Sequence, residues 1–139
     1  MTFAWASHAF RRDYGSFAGI VEEAEAHVAC RRSGLAEALL RRALATDLEG
    51  EDPRPKGAVE ERLALLCLAD GRWEEALRLA DSALAVHGEW SKADPLPFGR
   101  ALIVRAQCGT VAGEILAVIE CLDMAAAIFR DHAGDASHE

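Results

Sequence analysis

Residues 70–86 read DGRWEEALRLADSALAV, and their spacing decides the fold. Trp73, Ala76, Leu77, Ala80, Ala83 and Leu84 recur in steps of three and four, while Glu74, Glu75, Arg78 and Asp81 fall between them. A period near 3.6 with one wide apolar stripe predicts an amphipathic helix packed against neighbours. Asp70-Gly71 ahead of it reads as a turn. Alanines at 76 and 83 let a second helix come close, and Leu77 and Leu84 fill the groove between turns.

The same punctuation runs along the chain. Turn signals at Tyr14-Gly15-Ser16, Arg32-Ser33-Gly34, EGEDPRPKG (49–57), Asp70-Gly71, HGEWSKADPLP (87–97) and Gly109–Gly113 cut it into helix-length pieces. Those pieces cover about 16–32, 34–47, 57–69, 72–87, 98–109 and 113–131, after a possible short helix near 2–12. β-Branched residues are few and no stretch alternates for long, so strands are not expected. The second piece of each pair repeats one pattern: Ala36 and Ala43, Ala76 and Ala83, Val118 and Ala125, each pair seven apart, with offsets of 40 and 42 between copies. A near-constant period of this length predicts a helical repeat, because one helix pair cannot bury its own apolar face and neighbours must stack.

Composition agrees. The 139 residues suit one domain, and 51% hydrophobic with only 6% aromatic residues means Ala, Leu, Val and Ile dominate, as in packed helices. Net charge is −8, with residues 1–45 at +1 and the rest at −9, so the chain lacks the basic face a nucleic-acid binder needs. The paired arginines at 11–12, 31–32 and 41–42 read as a solvated strip. No uncharged apolar run reaches 18 residues and the start lacks a signal-like apolar core, so no membrane span is expected. Cys30, Cys67, Cys108 and Cys121 fit no metal-like spacing; they read as small buried hydrophobes in a reducing compartment, hence a cytoplasmic protein.

No chemistry-bearing constellation emerges. The histidines 8, 27, 87, 132 and 138 never pair at i, i+3 or i, i+4, and Glu22, Glu23 and Glu25 near His27 do not form a paired-histidine metal motif. Cys30 beside Arg31 and Arg32 has the surroundings of a lowered-pKa thiol but no acid–base partner. GTVAG (109–113) has no strand before it and no Lys-Ser/Thr after it, and no serine sits in GxSxG. No metal, no cofactor and no enzymatic activity are therefore expected.

The stretch GRWEEALRLADSALAV resembles the turn and second helix of a tetratricopeptide repeat: Gly71 at the turn, Ala76 as the early small residue and Ala83-Leu84 as the later pair, with Leu63 and Cys67 in the preceding helix where the motif has a Leu and usually a Tyr. The first copy matches through Ala36 and Ala43-Leu44. The third, with AAAIFRDHAGD, resembles the longer repeats of large bacterial LuxR-type regulators. The first helices lack the motif's Trp and Ala64 stands where it has Gly, so a repeat-like helical bundle remains the alternative. The resemblance implies an all-α fold of about three antiparallel helix pairs in a short right-handed superhelix over 16–131, with a cap segment at 1–15 and a flexible tail at 132–139. It further implies a non-catalytic protein-interaction or scaffolding module whose first helices line a concave groove for a protein or peptide partner. The groove set would be Val21, Glu25, Ala29, Glu61, Leu65, Leu68, Arg100, Ile103 and Gln107. Of the side chains that clamp a peptide carboxylate in this family, only Arg100 is present. The alternative is a regulatory subunit responsive to a peptide or small molecule held in that groove.

The last helix is the anomaly. From Ile115 to Phe129 only Glu120 and Asp123 are charged, and apolar residues surround the axis. Such a helix calls for cover on every side. A homodimer with Ile119, Leu122 and Phe129 at its apolar centre is expected, the competing cover being the N-terminal segment with Phe3, Trp5 and Phe10.

Overall fold

The structure, a computed structural model, describes residues 17–46 and 52–137. Among the described residues six helices follow one another: α1 (Phe17–Ala29), α2 (Ser33–Ala45), α3 (Arg54–Ala69), α4 (Trp73–Glu89), α5 (Pro95–Ala112) and α6 (Ile115–Ser137). No strand occurs among the described residues, so the fold is all-α. The Phe3, Trp5 and Phe10 segment and the possible helix at 2–12 lie outside the described residues.

Buried positions follow the helical period. Ile20 and Ala24 of α1 are buried, as are Ala36, Leu40 and Ala43 of α2 and Ala76, Ala80, Ala83 and His87 of α4. Each set advances in steps of three or four and marks one face. α3 is the central element: Gly57, Val59, Glu60, Glu61, Leu63, Ala64 and Cys67 are buried on several sides. Its neighbours are α1, α2, α4 and α5. The backbone of every helix runs close to that of the next in sequence, and so do those of α1–α3 and α3–α5, whereas the backbones of α2–α4 and α4–α6 do not approach. The odd-numbered helices thus form one layer, and the even-numbered helices stand behind it with wider backbone spacing, α2 and α4 being bridged by long side chains.

Three turns share one hydrogen-bond pattern. After α1, the Arg32 N–H donates to His27 O (2.7 Å) and Arg31 N–H to Val28 O (3.0 Å); after α3, Arg72 N–H donates to Cys67 O (2.8 Å) and Gly71 N–H to Leu68 O (3.1 Å); after α5, Glu114 N–H donates to Gly109 O (2.9 Å) and Gly113 N–H to Thr110 O (3.2 Å). This is the Schellman closure, which requires a left-handed residue just past the helix. Gly71 (φ 82°) and Gly113 (φ 81°) meet it freely, and Arg31 (φ 61°) meets it at a steric cost. The next helix then starts in register: Ala36, Ala76 and Val118 N–H groups donate to Arg32, Arg72 and Glu114 carbonyls.

Ion pairs fasten the second layer. Arg72 at the start of α4 donates to Glu37 of α2 and lies near Glu75, and Arg41 of α2 donates to Glu37 and Glu75. Further along, Arg105 of α5 joins Asp81 of α4 to Glu114 ahead of α6.

Helix bounds differ from the sequence expectation chiefly at the prolines. PRPKG and ADPLP, read as loops, supply the caps and opening turns of α3 and α5, with Pro55 and Pro95 in the first helical positions. There a proline's missing N–H costs nothing, since the first N–H groups have no intrahelical acceptor. α6 continues through Ser137, beyond the expected stop near 131. Cys30 is exposed, against the expectation of four buried cysteines, because it caps α1 at the turn; Cys67 and Cys108 are buried.

Candidate functional site

α1, α3 and α5 face a shared cavity of about 540 Å³. Val21 of α1 forms one wall; Ala58, Glu61, Arg62 and Leu65 of α3 form the floor; Pro97, Arg100, Ile103, Val104 and Gln107 of α5 form the other wall. Asp52, Arg54, Pro55 and Asp94 close one end, and His87 reaches in from α4. The volume lies within the range of small-ligand pockets.

Of the groove residues expected from sequence, Val21, Glu61, Leu65, Arg100, Ile103 and Gln107 line this cavity. Glu25, Ala29 and Leu68 do not. Glu25 pairs with Arg62 at 2.9 Å and lines a separate recess of about 280 Å³ among α1, α2 and α3. Ala29 is exposed at the end of α1, and Leu68 packs half-buried against the core.

Polar groups in the groove fall into two sets. At its end, Arg54 donates to Asp52 at 2.9 Å and stacks over Trp90, 4.1 Å from the ring centroid. The guanidinium holds the Asp52 carboxyl below the usual carboxylate range. Deeper lies the second set. His87 is 3% exposed and Glu61 8% exposed, with His87 Nε2 3.3 Å from Glu61 Oε2. That approach is close enough for an ion pair but lacks hydrogen-bond alignment, and neither ring nitrogen has a hydrogen-bond partner. Room for the ring comes from Gly57, where a Cβ would stand 3.0 Å from His87 Nε2. The neighbouring Glu60 is pushed above the ordinary carboxylate value by burial, opposed by a hydrogen bond with Ser82. Arg100 on the opposite wall has no ion-pair partner among the described residues.

Sequence reasoning missed His87, Asp52, Arg54 and Asp94. For His87 a signal existed: it continues the series Ala76, Ala80, Ala83, His87 in steps of four, three and four, which puts it on the buried face. Its partner Glu61 is on another helix, and no local spacing links the two.

The second candidate surface is α6. Ile115 is 71% exposed, Leu116 78%, Ile119 50%, Leu122 46% and Met124 49%. Of this helix only Ala125 is buried among the residues whose side chains are described. Ile119 and Leu122 thus stand at the surface as expected, while Phe129 turns inward, its ring 3.0 Å from where a Cβ on Gly99 would sit. Ile115, Ile119, Leu122 and Ala126 follow steps of four, three and four along one flank.

Among the described residues no group of three or more His, Cys, Asp or Glu side chains is placed to hold a metal ion, and no described helix is long and apolar enough to cross a membrane. Burial pushes the Cys67, Cys108 and Cys121 thiols up, away from the reactive thiolate form. Comparison with known proteins gives no matching family model, no matching curated protein and no matching solved structure.

Proposed function

We propose that this chain is a non-catalytic interaction module of tetratricopeptide type, in which α1–α2, α3–α4 and α5–α6 are three antiparallel pairs stacked as a short right-handed superhelix. It holds a protein or peptide partner in the α1–α3–α5 groove and associates with a second copy through α6. Three features support the repeat: the common turn after α1, α3 and α5, the equivalent register of Ala36, Ala76 and Val118, and close backbone approach between successive odd-numbered helices but not even-numbered ones. Free buried thiols at Cys67 and Cys108 fit a reducing, cytoplasmic setting.

The observation that carries the interaction reading is the α6 flank. Ile115, Ile119 and Leu122, each about half exposed or more, share one flank with Leu116 beside them. Contiguous apolar surface of this kind marks association sites, and a two-fold pair covers it without a further component. Light scattering and sedimentation across a dilution series test it. Dimers are expected that dissociate on dilution, and an Ile119→Asp, Leu122→Lys double variant is expected to be a folded monomer. A wild-type protein that stays monomeric at every concentration refutes self-association.

A second reading, a regulatory subunit responding to a small molecule or peptide, draws on the cavity and on His87, whose ring nitrogens make no hydrogen bond. Under it, protein purified from its native cell retains a bound compound.

A further inference from the structure

We infer that the floor of the groove is a cation subsite, in which one alkylammonium or guanidinium group, carried by a basic side chain of the bound partner, sits against the Glu61 carboxylate beside the His87 ring. This rests on the groove being the partner site.

Glu61 is nearly buried, and its only ion-pair neighbour among the described residues is His87. A carboxylate removed from water needs donors or a cation. His87 gives it no aligned donor, since both ring nitrogens are without hydrogen bonds. The two buried ring nitrogens of His87 are thus unsatisfied, His87 and Glu61 line one cavity, and an unsatisfied buried group beside a carboxylate calls for an occupant. Nearby cations are engaged elsewhere: Arg62 with Glu25 and Arg54 with Asp52. Arg100 lies across the groove without forming an ion pair to Glu61.

The occupant's chemistry follows. An ammonium brings three donors and no acceptor, while a carboxylate and an imidazole lone pair offer acceptors only. Charge-assisted bonds of this kind are the strong ones. The methylene stem of a lysine or arginine would run along Val21, Leu65 and Ile103, which line the same cavity. Gly57 keeps the His87 ring in place, because a β-carbon there would displace Nε2 from its position beside Glu61.

The test is a titration of the full-length ¹⁵N-labelled protein followed by NMR. The probes are pentylamine, N-acetyl-lysine-N-methylamide, and pentanoate as the anion of matched length. Saturable shifts centred on Gly57, His87 and Ile103 are expected with both amines and not with pentanoate, and the lysine derivative is expected to bind at least as tightly as pentylamine. Glu61→Gln, which keeps the side-chain size, should weaken amine binding about tenfold or more. Glu120→Gln on α6 removes the same charge elsewhere and should leave binding unchanged; thermal melts verify that both variants fold. Pentanoate binding as well as the amines, undiminished affinity in Glu61→Gln, or no saturable amine binding overturns the subsite. Binding of pentylamine alone overturns the assignment to a partner's side chain. The dilution series reads α6 and this titration reads the groove, so a monomer that binds amines and a dimer that ignores them fail different claims.

Discussion

Ala76→Leu measures how closely α4 is approached by its neighbours. Ala76 is fully buried and belongs to the central core, and neither the groove nor the recess among α1, α2 and α3 borders it. Leucine adds three carbons. With space available, their burial would stabilise by roughly 2 kcal/mol, at about 0.8 kcal/mol per methylene. Without space, helices separate and side chains leave their rotamers, and the net result is destabilisation of about 1–3 kcal/mol. The second case applies, because the site has no exposed surface to expand into. Helix propensity differs little between the two residues, so it does not reverse the sign. At about 4 °C per kcal/mol for a chain of this length, the melting temperature should fall by roughly 4–12 °C. Ala85→Leu, exposed on the same helix, should stay within about 2 °C of wild type. Differential scanning calorimetry decides. If Ala76→Leu melts with the wild type, or if Ala85→Leu falls as far, the close approach at Ala76 is wrong and the equivalence of Ala36, Ala76 and Val118 loses its packing basis.

The shared turn predicts substitutions of opposite sign: Gly113→Ala places a β-carbon at φ 81° and should cost about 1 kcal/mol, whereas Arg31→Gly relieves φ 61° and should stabilise by a fraction of that. Urea unfolding compares them, and two changes of the same sign would count against a common turn. Acid should weaken the α2–α4 ion-pair cluster in a defined window. Hydrogen bonds from Arg72 and then Arg41 hold the Glu37 carboxyl at about 2, below its ordinary 4.5. A carboxyl depressed in the folded state stabilises fully above its unfolded value and loses that contribution as pH falls through the folded one. The stability gap between wild type and Glu37→Gln should therefore be flat above about pH 5 and close between about 4.5 and 2. Acid titration by circular dichroism checks this, and a gap unchanged down to pH 2 would mean that Glu37 is not so held.

Helices and their inward faces were legible in the sequence because a helix's periodicity is local. Ala76, Ala80 and Ala83 share a face whatever lies against it, and the offsets from Ala43 to Ala83 and from Ala83 to Ala125 expose the recurrence before any contact is known. Proline was harder to place. Its effect depends on whether it falls before or just inside a helix, and Pro55, Pro95 and Pro97 proved to be inside while Pro53 is the cap. The groove was half legible: the resemblance to tetratricopeptide repeats named Glu61 and Leu65 on α3 and Arg100, Ile103 and Gln107 on α5, and these line the cavity. That Glu25 turns to Arg62 and Ala29 lies beyond the cavity depends on how far along α3 the shorter α1 is seated, which no local pattern encodes. Similarly, the sequence shows α6 to be apolar around its axis, but only packing against Gly99 decides that Phe129 faces inward while Ile115 and Leu116 face out. The meeting of His87 and Glu61 is the clearest case. Each lies on a face the helical period assigns, but their 3.3 Å approach requires α3 and α4 to pack with Gly57 opposite the ring, a relation between helices that tertiary structure alone creates.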